Sequence, residues 1–233
     1  MTSILDGLGA LLIGLAIGYV IASVLESYVH QHVGHAPGKS VKRWQRRPRL
    51  LGSQISTRYS HYVIHHRRTF KQDHVTQFRS DAEREQVDLE LARHGAHGEQ
   101  IKRSSYGLRL EGSGALVYAA PLLPALAMVS SPRGAWAVAG IGIMLALPPL
   151  LSRCFHPYLH MPHQRARREA PAVTAWLLER RYFRAMARNH YMHHRYMAFN
   201  FNLLLGGDVL RGCYRAPIEK DLLEMQRLGL RID

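Results

Sequence analysis

Cysteine is scarce: Cys154 and Cys213 are the only two in 233 residues, and no Cys-x-x-Cys spacing links them. That excludes a disulfide framework and fits a reduced cytosolic face. Glu-x-x-His does not occur, which excludes the carboxylate-rich di-iron plan of soluble four-helix bundles. His-Glu-x-x-His does not occur either, which removes the simple zinc protease arrangement. There is no flavin or nucleotide fingerprint, no internal repeat, no low-complexity tract and no alternating strand pattern. The expected architecture is all-α.

Acidic residues are also few, 17 against 31 Lys and Arg, for a net charge of +14. Such a balance suits either nucleic acid or an anionic membrane surface, and its distribution decides between them. Residues 1–35 contain no Lys or Arg, and residues 113–152 contain only Arg133. Basic clusters such as Lys42-Arg43-Trp44-Gln45-Arg46-Arg47 and Arg165-Ala166-Arg167-Arg168 lie between and after these stretches. Aromatic–basic interleaving is sparse, so no nucleic-acid partner is expected.

The apolar stretches read as three membrane spans at about 4–25, 113–130 and 135–152, the last two joined by Ser131-Pro132-Arg133-Gly134. The two later stretches are short, so a hairpin that only partly enters the bilayer is the alternative. Pro121, Pro124, Pro148 and Pro149 are tolerable kinks in membrane helices. The first stretch lacks a basic leader and reads as a retained anchor. Its Gly14-x3-Gly18 spacing could admit a close helix neighbour. Three spans put segments 30–112 and 153–233 on one side, which the positive-inside pattern assigns to the cytoplasm. The expectation is a single membrane-embedded domain over 1–233, in a bacterial inner membrane or an ER-type membrane.

Within the cytosolic segments, Trp44, Leu50, Leu51 and Ile55 interleave with basic residues, as in a helix lying at headgroup level or a merely solvated stretch. Residues 81–94 form an acidic, solvated helix with a Ser80/Asp81 start signal, and His94 and His97 read as surface residues in a loop. Val173–Tyr196 reads as one long helix after Pro171.

What the sequence has in abundance is histidine. Ten of fifteen fall into four groups: His30 and His35; His61, His65 and His66; His156 and His160; His190, His193 and His194. Neutral imidazole is the commonest protein ligand for transition metals. On a helix, residues three and four apart share a face, so His190, His193 and His194 can converge, and so can His156 with His160 and His61 with His65. His66 lies about 100° from His65, and His30 and His35 about 140° apart, so the first helix must end or bend if both bind. Gly34 and Pro37 permit that. Ten imidazoles are too many for one ion and suit two, each with an open position. Asp208, Asn189, Asn200 and Asn202 are candidates to accept the second ring N–H of a ligand. His163, beyond Pro162, is a neighbour of the site or a surface residue, His32 could replace His30, and His74 could orient a ligand or donate a proton or be structural.

These boxes, His30-x4-His35, His61-x3-His65-His66, His156-x3-His160 and His190-x2-His193-His194, resemble the fatty acid hydroxylase/sterol desaturase superfamily of membrane proteins. The tail from Asn200 to Asp208 looks like the Asn-x-Gly…Asp region of that family, with Asn202 where the family usually has Gly. Two further departures are the three residues inside the second box, where hydroxylases usually have two, and the longer separation of His35 from His61. The resemblance covers most of residues 26–212. It implies a histidine-ligated centre of two iron ions acting with dioxygen on a fatty acyl chain, a sterol or a related hydrophobic molecule. Electrons would come from an external donor, a ferredoxin or a b5-type cytochrome. Hydroxylation is the leading expectation. Desaturation at the same site and a non-enzymatic metal-binding membrane protein are the alternatives.

Overall fold

A computed structural model describes residues 4–106 and 134–231, and among these there is no strand. Helix α1 (Ile4–Val29) runs without a break into a π turn at His30–Gly34. Two helices follow, α2 (Gly38–Gln45) and α3 (Pro48–Arg58), and α3 runs into a second π segment, Tyr59–Arg68. Next come α4 (Asp81–Ala92) and α5 (Gly95–Tyr106). The chain resumes with α6 (Gly134–Leu145), α7 (Leu147–Cys154) and the single turn α8 (His156–Leu159). The rest comprises α9 (His163–Glu169), α10 (Ala172–Leu178), α11 (Arg181–Arg195), the short α12 (Gly207–Leu210) and α13 (Glu219–Arg227).

Two helical stretches, Ile4–Gly34 and Gly134–Cys154, are long and apolar enough to cross a membrane. They coincide with the first and third expected spans; the second, 113–130, lies outside the described residues. Gly14 and Gly18 face α6 so closely that a Cβ on Gly14 would stand 2.1 Å from the Ala137 carbonyl oxygen, and one on Gly18 2.7 Å from Ile141 Cα. Gly140 answers from α6, where a Cβ would come 2.6 Å from the Leu11 carbonyl oxygen. Small residues on both helices let the backbones meet, as the Gly14-x3-Gly18 spacing suggests.

Three apolar clusters form among the described residues. One joins α1, α6, α7 and α11 through Ala22, Ile141, Leu151, Phe155 and Met186. Another packs Tyr191 and Met192 of α11 against Met225 and Leu228. The third sets Val87, Leu91 and Ile101 against Ile64 of the second π segment.

The last cluster corrects the reading of 81–94 as a solvated element. Helix α4 starts where expected, with Ser80 Oγ accepting from the Glu83 amide, but buries Val87 and Leu91 beneath a histidine box. Its outer face is indeed acidic and exposed. His97 is exposed as expected but sits in α5 rather than a loop. The basic run 42–55 is helical except at Arg46-Arg47, between α2 and α3, and neither helix has a buried residue. The long helix expected over Val173–Tyr196 is divided: Arg180 is extended (φ −86°, ψ 144°), and α11 begins after it. The break coincides with tertiary ion pairs. Glu179 is drawn to Arg167 of α9 and to Arg231 near the C-terminus, contacts made where the chain turns between α10 and α11.

Candidate metal centre

The four boxes meet. His30, His35, His61, His66 and His193 form one group and His65, His160, His190 and His194 another, and within each group one ligand atom per ring lies within 4.8 Å of every other. Each is a group of side chains that could hold a metal ion. His156 borders the second group, its ring centroid 4.6 Å from His190, 5.1 Å from His160 and 5.2 Å from His65.

The partition differs from simple convergence of each box. His65 and His66 are neighbours in sequence, as are His193 and His194, and each pair sends one ring to each group. Successive residues on a helix point about 100° apart, so a His-His dipeptide divides its rings between two sites. The sites are therefore side by side, with the His66 and His194 rings, one from each group, 4.2 Å apart.

The two π turns explain the spacing of five. An α-helix would leave His30 and His35 well apart in angle. Here the His35 amide donates to the His30 carbonyl oxygen at 3.0 Å, an i→i+5 bond that widens the turn. The wider winding returns residues five apart to one side. His61 and His66 repeat the spacing inside the Tyr59–Arg68 segment. Four of the five rings in the first group thus come from two π turns, so the expected bend in the first helix takes this form.

Gly34 sits where those turns meet. A Cβ there would lie 3.1 Å from His30 Cδ2 and 3.2 Å from His61 Cδ2, so both rings would have to move. Gly34→Ala is expected to weaken metal binding at the first group by about tenfold with the helical circular dichroism unchanged. Metal titration of the variant measures this.

Ring tautomers follow from the acceptors. His30 Nδ1 lies 2.5 Å from the Phe201 carbonyl oxygen, His193 Nδ1 2.9 Å from that of Phe199 and His160 Nδ1 2.8 Å from that of His74. A carbonyl oxygen only accepts, so each Nδ1 carries the proton and each Nε2 lone pair faces inward. Burial, reinforced by neighbouring imidazoles, holds His61, His65, His66, His160, His190, His193 and His194 far below the ordinary pKa of 6.5. Neutral rings are the ligating form.

The spacing of the lone pairs tests the fit. His61 Nε2 is 2.7 Å from that of His30 and 3.1 Å from those of His35 and His66. His193 Nε2 is 3.1 Å from that of His35 and 3.2 Å from that of His66. In the second group the His65–His194 and His160–His190 distances are 3.1 and 2.9 Å. Two nitrogens bound at right angles to one ion by bonds of about 2.1 Å stand about 3.0 Å apart, and at the tetrahedral angle about 3.4 Å. The observed edges match the right-angled case, and five nitrogens exceed the four of a tetrahedral zinc site. Imidazole donors suit iron, copper, nickel and zinc. The residues present fit an ion of five or six ligands in the first group.

No family model, curated protein or solved structure matches this chain.

Asn189, Asn200, Asn202 and Asp208 are all buried, but the ring N–H acceptors just described are backbone carbonyls, and these four side chains hold the loop that carries two of them. Asn202 and Asp208 are reciprocally bonded: the Asn202 amide donates to Asp208 Oδ2 at 2.8 Å and the Asp208 amide to Asn202 Oδ1 at 2.7 Å. Ser27 of α1 donates to Asp208 Oδ1 at 2.6 Å, which ties the loop to the helix of His30. Asn200 stands between the two acceptor residues with φ 60°, a left-handed conformation that asparagine tolerates better than most. It donates to Asn189 Oδ1 at 2.7 Å and accepts from the Arg215 amide at 2.9 Å. Asn200→Ala is expected to loosen both carbonyls and reduce metal affinity at the first group by about 10- to 100-fold, leaving the second group filled. Site-resolved metal titration separates the two.

His163 lies away from both groups, paired with Glu179 at 3.0 Å, because Pro162 turns the chain before it. His32 faces Tyr28, ring centroids 4.4 Å apart, and takes no place beside His30. His74 is a greater part of the site than its position in the sequence suggests. It is buried, its ring lies 4.5 Å from that of His160, and its carbonyl fixes the His160 tautomer. Its own Nε2 donates to the Leu159 carbonyl oxygen at 2.7 Å, and burial pushes its pKa down to about 4. Phe70 stacks on His160 at 4.1 Å with φ 50°, and Phe201 packs edge-on against His30 at 5.5 Å and tilted against His193 at 5.3 Å. Neither phenylalanine has a sequence signature that would mark it.

Proposed function

We propose that this chain is a membrane oxygenase of the fatty acid hydroxylase/sterol desaturase kind, an oxygen-dependent hydroxylase of a lipid substrate with two iron ions. The observation that carries the reading is the pair of adjacent imidazole groups whose inward Nε2 atoms stand 2.7–3.2 Å apart. His30 and His35 lie at the end of the apolar stretch Ile4–Gly34, and His156 and His160 follow directly after Gly134–Cys154. In this reading His30, His35, His61, His66 and His193 hold one ion, and His65, His160, His190 and His194, with His156 beside them, hold the other. Bound iron, with electrons from outside, supplies activation of dioxygen and oxidation of an unactivated C–H bond.

The chain's own residues prepare that chemistry. Phe199, Phe201 and His74 carbonyls keep three lone pairs aimed inward. Burial of His193, His65 and His190 keeps water from the rings and strengthens every polar contact around them. Phe70 and Phe201 restrict ring rotation. The substrate approaches from the bilayer with its head near the basic rim, on the cytoplasmic side of a chain crossing three times. Electrons come from an acidic ferredoxin or b5-type cytochrome steered by the positive surface.

Product analysis tests the reading. Incubation with reductant, dioxygen and extracted membrane lipid should yield a lipid heavier by one oxygen, labelled when ¹⁸O₂ is supplied. Loss of two hydrogens instead would assign desaturation, and no oxygen consumption above that of metal-free protein would reject the enzyme.

A further inference from the structure

The short helix α12 leaves its apolar side uncovered. Val209 is 62 % and Leu210 66 % exposed, although the two residues before them, Gly207 and Asp208, are buried. Gly207 is pressed onto α1, where a Cβ would fall 2.2 Å from the Ser23 carbonyl oxygen, and Ser23 Oγ accepts from the Gly207 amide. Asp208 is fixed to Ser27 one turn further on. Val209 and Leu210 therefore stand beside residues 23–27, still within the apolar Ile4–Gly34 helix.

The next residue is basic. Arg211 donates to Ser27 Oγ at 2.6 Å and to Gln31 Oε1 at 2.5 Å, and its guanidinium lies 5.3 Å from the centroid of the half-exposed Tyr28 ring. An apolar pair followed at once by an arginine on a tyrosine is the order found where a helix passes from hydrocarbon to headgroups.

We propose that α12 is a lipid-contacting element, with Val209 and Leu210 among the acyl chains of the same leaflet and Arg211 at the phosphates. This rests on α1 being a membrane span: the buried Ser23 and Ser27 fix α12 to that span, and the exposed Tyr28 stands beside Arg211. It has a consequence for the site. Asp208 and Asn202 tie α12 to the loop whose Phe199 and Phe201 carbonyls orient His193 and His30. The proposed lipid-facing pair is thereby joined, through residues 199–210, to the carbonyls that orient two rings of the first imidazole group.

Photolabelling of the unmodified full chain tests this. The protein is reconstituted in phosphatidylcholine/phosphatidylglycerol vesicles containing a lipid with a diazirine in its acyl chain, irradiated, and the adducts are mapped by mass spectrometry. Ile13, exposed on α1, reports the span itself, and Leu89, exposed on the acidic α4, reports water. Labelling at Val209–Leu210 within threefold of that at Ile13 and at least tenfold above that at Leu89 is expected. Strong labelling of Ile13 with 209–210 at the Leu89 level overturns this proposal alone. Background labelling at Ile13 as well overturns it together with the membrane reading.

Discussion

His193→Ala should remove metal from the first group and abolish turnover while leaving the helices intact. His193 is fully buried, its Nε2 touches those of His35 and His66, and its Nδ1 proton is held by the Phe199 carbonyl. No neighbouring ring can replace it, because His194 on the same helix already faces the other group. Alanine keeps helix propensity, so the loss is local. A fall in affinity of at least 100-fold at that group is expected, with iron dropping from about two ions per chain toward one and the rate falling at least 1,000-fold. His190→Ala should do the same to the second group and leave the first filled. Metal analysis and single-turnover assays on both variants measure this. Full metal and full turnover in His193→Ala would show that the last box is misassigned.

The second large effect is on stability against acid. Burial, then mutual repulsion, holds seven site imidazoles far below 6.5, and the same burial takes His35 down to about 2. In the unfolded chain the same rings take up protons near 6.5. Between those values the unfolded state binds more protons than the folded one, so stability rises with pH. The contribution is complete above pH 6.5 and is lost as pH falls below it. Each ring that stays neutral in the fold and charges outside it removes about 1.4 kcal/mol per pH unit. Two or three such rings would exhaust an ordinary folding stability of about 5–15 kcal/mol within a few pH units. Metal-free protein in micelles should therefore lose its helical signal cooperatively between about pH 6 and 4.5. Bound metal competes with the protons and should move the midpoint lower. A midpoint below pH 4 without metal, unmoved by metal, would contradict the buried neutral cluster.

The histidine spacing marked the nine rings that meet in the two groups, and His156 beside them, because the chemistry leaves a residue type in the sequence. Their division between two groups was not legible. On an ideal helix His190, His193 and His194 share a face, and only the approach of His65 and His66 from another segment shows that His193 faces away from its neighbours' group. The π turns were hidden for a related reason. A spacing of five reads as a mismatch to helical winding until the His35–His30 bond shows the winding itself is wider. The acceptors for the ring protons could not be found by residue type, since Phe199, Phe201 and His74 act through backbone carbonyls. Asn189, Asn200, Asn202 and Asp208 were nonetheless worth marking, because a loop carrying such carbonyls needs buried polar side chains to fix it.

The apolar runs were legible at Ile4–Gly34 and Gly134–Cys154, where length and composition alone carry the signal. The break before α11 was not, because neither proline nor glycine marks Glu179 and Arg180. Tertiary ion pairs from Arg167 and Arg231 coincide with it.

Metal content tests the central claim most directly: imidazoles from four separated segments meet as two neighbouring ion sites. Protein purified with its native lipids and loaded anaerobically with ferrous iron should bind about two ions per chain, with nitrogen scatterers at about 2.1 Å by X-ray absorption. Saturation at one ion or none in folded protein would contradict it.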